Sequence, residues 1–267
     1  MKVFICSGLL IILFLQFGCG ASISDVLKKY EAPYREKREQ LKKIANSLPP
    51  KGSFDNNSAC REINPPIRFD EKAKDFNTEM LMFEQLSDPD TAPNWNLLLS
   101  GDLLHSIQWT GPKNPLSESV LGNNGDDMEQ TLASALNYRY LVVNRVKEIT
   151  QPLVKDEKTY TQGQATVETF IVDLTNNKTI CGFTTSAKSL ENLSNVRVDT
   201  KVTIEKKQVG GFGKSAKPRY EEVRHEPLPV VVQLQNAAKS SIWVDSRLQI
   251  ISKLKELTKA TIELTIN

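Results

Sequence analysis

Apolar residues along this chain follow a helical rhythm near both ends and a strand rhythm in between. In "SISDVLKKYEAPYREKREQLKKIANSLPP", Leu27, Tyr30, Tyr34, Leu41, Ile44 and Leu48 recur at three- and four-residue steps, which is one stripe of a helical face. Lys37 alone breaks the series. Asp25/Lys29, Glu31/Arg35 and Glu39/Lys43 place acid four residues before base, the stabilising order on a helix. Pro33 is tolerated best where a helix starts or restarts, and Pro49-Pro50 ends it. The stripe has heptad spacing over only about three heptads, too few to favour a coiled coil over packing on the chain's own core.

The strand rhythm begins at "YRYLVVNRVKEIT", rich in Val, Ile and Tyr. "ATVETFIVDLTNNKTICGFTTSA" reads as two strands turning at Thr175-Asn176-Asn177, since Asn tolerates the left-handed backbone of tight turns. Alternation puts Phe170, Val172 and Leu174 on one face. "VRVDTKVTIEKK" alternates strictly, with Val196, Val198, Val202 and Ile204 opposite Arg197, Asp199, Lys201, Thr203 and Glu205. That pattern predicts a strand with one buried and one wet face. "QVGGFGKSAKPRYEEVRHEPLP" reads as a long loop. From Val230 to Leu257 the pattern is helical, with Val244, Leu248, Ile251 and Leu254 in register.

Between these regions the signal is weaker. Residues 51–94 carry Pro, Gly, Asn and Asp in turn-forming density, with a short amphipathic helix expected in "EKAKDFNTEMLMFEQL". "NWNLLLSGDLLHSIQW" and "DMEQTLASALNY" read as helices, the second starting at Asp126 or Asp127. The fold class is therefore α+β: an antiparallel sheet of about four strands, from residue 139 to 208, packed by helices before and after it. The expected organisation is a signal segment over 1–21, a membrane-proximal helix over 22–50 and a globular domain over 51–267.

The first residues, "MKVFICSGLLIILFLQFGCGAS", add a compartment. The apolar run is short of the roughly 20 residues that a spanning helix needs. A positive start, an apolar middle and a small-residue exit make a secretory signal. These first twenty or so residues resemble those of bacterial exported lipoproteins, which are cut before a cysteine that then carries lipid. Gly18-Cys19 matches that pattern, while Gln16 stands where Leu is usual. The resemblance implies lipid attachment at Cys19 and a membrane as partner; cleavage after Ala21, with Cys19 removed, is the alternative. A retained anchor is the third outcome, and all three export the domain to the periplasm or outer cell envelope.

Composition narrows the function. Charged residues are 25%, hydrophobic residues 39%, and the formal net charge is +2, which describes a soluble globular protein and not a nucleic-acid binder with its concentrated basic excess. Of four cysteines, Cys6 leaves with the signal and Cys19 is lipidated or lost. Cys60 and Cys181 remain, a pair that an oxidising compartment would join as a disulfide.

No motif in the chain carries chemistry of its own. "GGFGKS" at 210–215 fails as a phosphate loop because Gln208 stands where the first glycine belongs. His105 and His225 are the only histidines and lack close cysteine or histidine neighbours, so neither a metal site nor a cofactor is expected. Asp102, His105 and Ser106 share a helical face without the oxyanion donors or nucleophile elbow of a serine hydrolase. Asp126-Asp127 reads as a helix start and not a calcium loop. Trp95, Trp109 and Trp243 read as core residues. No catalytic residue is therefore assigned. The expected function is a membrane-tethered binding or envelope-assembly protein; the alternative is a periplasmic hydrolase with a spatially assembled carboxylate or Ser/His site.

Overall fold

A computed structural model describes residues 22–53, 60, 63–69, 77–89, 102–111, 125–210 and 219–258. Its elements, in chain order, are α1 (Ile23–Ser47), β1 (Thr78–Met82), α2 (Phe83–Ser87), α3 (Asp102–Trp109), α4 (Gly125–Leu136), β2 (Tyr140–Thr150), β3 (Leu153–Val154), β4 (Tyr160–Thr161), β5 (Gln164–Asp173), β6 (Lys178–Lys188), β7 (Thr203–Gly210), β8 (Arg219–His225) and α5 (Val230–Thr258). The α+β class holds. The signal segment and Cys19 lie outside the described residues.

The chain divides into two compact units, residues 1–145, 169–183 and 254–267 in one and residues 146–168 and 184–253 in the other. In the first unit α1 begins where Ser22 caps it, its hydroxyl accepting from the Asp25 amide at 3.2 Å. The helix runs through Pro33 and stops before Pro49. Tyr34, Leu41 and Ile44 are buried as the stripe requires, while Leu27 and Tyr30 are half-buried. This face packs on α2, α3 and α4, and the buried Tyr34 hydroxyl donates to the Leu132 carbonyl of α4 at 2.7 Å. Asp126 and Asp127 lie in the first turn of α4, where negative charge complements the helix dipole.

The main sheet has the order β1-β2-β5-β6, and here the sequence reading needs correction. β1 pairs parallel to β2, Thr78 opposite Tyr140 through Met82 opposite Asn144, so the sheet is mixed and not all antiparallel. The helix expected over residues 71–86 is, within the described residues, a strand followed by the single turn of α2. All five β1 residues are buried. A strand buried on both faces shows no alternation, and a short apolar run has no period that separates it from a helix. Residues between β1 and β2 include α2, α3 and α4, the kind of crossover that a parallel pair requires.

β5 and β6 form the expected hairpin, with Asn177 at φ 56° in the turn and residues 175–177 exposed. Phe170, Val172 and Leu174 are buried, and so are Thr169, Ile171 and Asp173. β5 sits between β2 and β6, and its two faces are both covered.

Segment 63–69 is irregular but well held. Ile63, Ile67 and Phe69 are buried. The Asn77 carboxamide donates to the Pro66 carbonyl at 2.8 Å and accepts from the Arg68 amide at 2.9 Å, and the Tyr140 hydroxyl donates to the Pro65 carbonyl at 3.0 Å.

In the second unit, Val154, Leu234 and Ala238 form a small core covered by Tyr160, Leu193, Val196, Val198, Val230 and Val231. Gln235 fastens α5 to the start of β3, donating to the Pro152 carbonyl at 2.8 Å and accepting from the Val154 amide at 2.8 Å. Gly163 approaches the backbone so closely that a Cβ there would lie 2.5 Å from the Pro152 nitrogen and 2.7 Å from the Thr150 oxygen.

Two sequence readings fail in this unit. The fourth strand of the main sheet is absent from "VRVDTKVTIEKK": residues 196–202 are irregular, and β7 pairs antiparallel with β8 in a separate two-stranded ribbon. Val202 and Ile204 are exposed, because alternation with β-branched residues encodes an extended backbone without saying what covers it. β8 also occupies part of the expected loop. In α5 the buried line is Leu234, Ala238, Ile242, Ser246, Ile250, Leu254 and Thr258, one residue in four. Ser246 and Thr258 belong to it because each hydroxyl donates to the carbonyl four residues back, at 2.7 Å. Ile251 and Leu254 are buried, but Val244 and Leu248 are exposed.

Candidate functional site

Cys60 and Cys181 form a disulfide with Cα atoms 5.1 Å apart. Cys181 is buried in β6, and Cys60 lies 121 positions earlier in the chain. The bond places this chain in an oxidising, exported environment. Among the described residues no helix is long and apolar enough to cross a membrane.

Of the residues weighed for hydrolysis, the described side chains are those of His105, Ser106 and His225. His105 and Ser106 lie on α3, and the Asp102 side chain is outside the described residues. The Ser106 hydroxyl is fully buried, out of reach of a substrate. The His105 ring stacks on Trp109, centroids 5.7 Å apart. His225, at the end of β8, has its Nε2 3.3 Å from a Glu205 carboxylate oxygen across the ribbon. Trp95 and residues 211–215 of "GGFGKS" lie outside the described residues. Trp109 and Trp243 are on α3 and α5, and Trp109 lines a cleft instead of filling the core.

That cleft, about 350 Å³, is bounded by Leu27, Lys28, Glu31 and Arg35 of α1 and by Trp109 to Gly111. Its floor is built by Arg38, whose Nη2 donates to the Ile107 carbonyl at 2.6 Å and so satisfies the C-terminal turn of α3. A Cβ at Gly111 would lie 1.9 Å from that nitrogen. Only glycine leaves the guanidinium its place.

A second cleft in the first unit, about 420 Å³, lies where Pro33, Glu36, Lys37, Gln40 and Lys43 of α1 meet Leu136 and Asn177. The Gln40 amide nitrogen donates to the Leu174 carbonyl and to Asn177 Oδ1, both at 2.7 Å. The turn of the hairpin is thereby tied to α1. Burial of Lys37 pushes its ammonium below the usual lysine value.

The second unit carries the largest of the three described clefts, about 640 Å³, between α5 and the chain around the end of β6. The backbone there is closed off by α5 side chains: the Lys188 amide donates to Asp245 and the Leu190 amide to the Ser241 hydroxyl, each at 3.0 Å. Buried Ser189 accepts from the Gly163 amide at 2.8 Å and shares a short contact with the Tyr160 hydroxyl. With the strand end satisfied in this way, the groove offers side chains: Leu190, Val244 and Leu248 are exposed within it. Lys188, Glu191 and Asp245 line it with charge.

Comparison with known proteins finds no matching family model, no matching curated protein and no matching solved structure, so no residue role is carried over from a relative. Sequence reasoning placed Val244 and Leu248 in helical register with Ile251 and Leu254 and did not say which of them the core covers. The signal in the sequence for an outward face is the small and polar company of Ala237, Ser240 and Ser241.

Proposed function

We propose that this chain is an exported envelope protein, tethered to a membrane through lipidated Cys19, that works by binding a partner. The disulfide supports export, and the match of Gly18-Cys19 to a lipoprotein cleavage site supports the tether. The observation that carries the binding role is the outer face of α5. Val244 at 49%, Leu248 at 45% and Leu190 at 39% exposure line one groove. Single exposed apolar residues are ordinary, whereas several in one rimmed depression mark an interaction site. The groove's charged lining suits an association that forms and dissolves, since a permanent interface is more uniformly apolar.

The test is co-purification from native membranes of the parent chain and of a Val244→Ser/Leu248→Ser variant. A partner retained by the parent and lost by the folded variant supports the reading. Equal recovery with both chains refutes the α5 face as the binding surface. The tether is tested separately: Cys19→Ser should move the chain from the detergent phase to the aqueous phase.

A further inference from the structure

Lys37 is the one break in the apolar stripe of α1, and the structure gives that break a setting. Its side chain is half-buried beside Pro33 and Leu136 in the cleft that Gln40 and Asn177 close. Among the described residues its ammonium has no ion-pair or hydrogen-bond partner. A lysine that only covers apolar surface with its stem keeps the ammonium in water at an ordinary pKa. Here burial alone lowers it, so the folded protein holds a partly desolvated cation that no ion pair among the described residues compensates.

The groups around it are arranged to receive an anion. Asn177 Oδ1 is engaged by Gln40 Nε2, which leaves the Asn177 Nδ2 donors unmatched among the described residues. The positive φ of Asn177 is a conformation that Asn tolerates better than most residues. Lys37, Lys43 and Glu36 together leave one net positive charge in the cleft, which matches a monoanion better than a dianion. Pro33 and Leu136 add an apolar wall for a short aliphatic body.

We propose that this cleft binds a ligand carrying a carboxylate, with Lys37 as its cation and the Asn177 amide as a second donor. The site is independent of the α5 groove, and its ligand is a small organic acid, a peptide C-terminus or an acidic sugar.

The full chain in detergent, carrying lysine labelled with carbon-13 at Cε, is titrated with acetate, N-acetylalanine, glucuronate and inorganic phosphate at constant ionic strength. The expected result is one saturable lysine shift with a carboxylate, absent in Lys37→Met. Tighter binding of N-acetylalanine points to a peptide terminus, and tighter binding of glucuronate to an acidic sugar. Asn177→Gly keeps the turn conformation and should weaken binding roughly two- to tenfold, the share of one hydrogen bond. Lys37→Met should melt no lower than the parent, because it completes the stripe. A phosphate that outcompetes every carboxylate, or the absence of any saturable shift, overturns the proposal. So does a Lys37→Met chain that melts well below the parent, since Lys37 would then serve the fold.

Discussion

Arg145 of β2 donates from Nη1 to the carbonyl oxygen of Pro49, 96 positions earlier in the chain, at 2.7 Å. Its Nη2 reaches the Pro50 carbonyl at 3.3 Å. The same guanidinium lies 5.3 Å from the centroid of Phe83 and 5.0 Å from that of Phe170. A buried cation is thus spread over two aromatic faces while it secures the end of α1. Arg145→Met should destabilise the chain by about 2–3 kcal/mol, as expected for loss of a charge-assisted hydrogen bond. Arg145→Lys should recover little, because an ammonium lacks the planar fork that serves two carbonyls at once. Urea unfolding of the three chains checks both statements.

Loss of the Cys60–Cys181 bond should cost on the order of 2–4 kcal/mol. The loop of 121 positions sets a chain-entropy value of about 4.9 kcal/mol, above that range, and measured losses commonly fall short of the chain-entropy value. The native contacts of Ile63, Ile67, Asn77 and Tyr140 survive the loss, so segment 63–69 should stay docked. Cys60→Ser, Cys181→Ser and the double variant should have equal unfolding midpoints, because each removes the same bond. Thiol labelling of the unreduced, denatured chain should modify neither Cys60 nor Cys181; reaction at both contradicts the bridge.

Asp156 closes the turn between β3 and β4. Its Oδ1 accepts from the Lys158 amide at 2.8 Å and the Thr159 amide at 2.7 Å. The Lys158 amide first, and then Thr159, hold its carboxyl below the usual value. The folded chain therefore releases this proton more readily than the unfolded one. The stabilisation is complete above the ordinary carboxyl value and is lost as pH falls through the folded one. A carboxyl titration by NMR should show Asp156 among the lowest midpoints in the chain, and Asp156→Ala should flatten that part of the stability–pH curve.

Where the chain's own pattern decides the structure, the sequence could be read. The α1 stripe, the Asn turn between β5 and β6 and the Cys60–Cys181 pair all follow from local spacing or from simple elimination. Burial was harder, because alternation fixes which residues share a face and leaves open what lies against it. Ile204 in β7 has the pattern of a half-buried strand and is exposed. Glu79 in β1 has no place in an apolar pattern and is buried. The Lys37 cleft was half legible: Lys37 announces itself as a break, but Gln40 and Asn177 meet across 137 positions, a tertiary contact that no local pattern records. The α5 groove was not legible for a related reason. A helix with apolar residues on two sides does not say which side the core takes.

The binding role of the α5 face is tested most directly in place. A photo-reactive amino acid is substituted at Val244, and separately at exposed Lys206 of β7, in cells that export the chain. The account predicts a discrete cross-linked species from position 244 that disappears when Leu248→Asp is added, and no such species from position 206. Absence of any cross-link at 244, or one that survives Leu248→Asp unchanged, would contradict it.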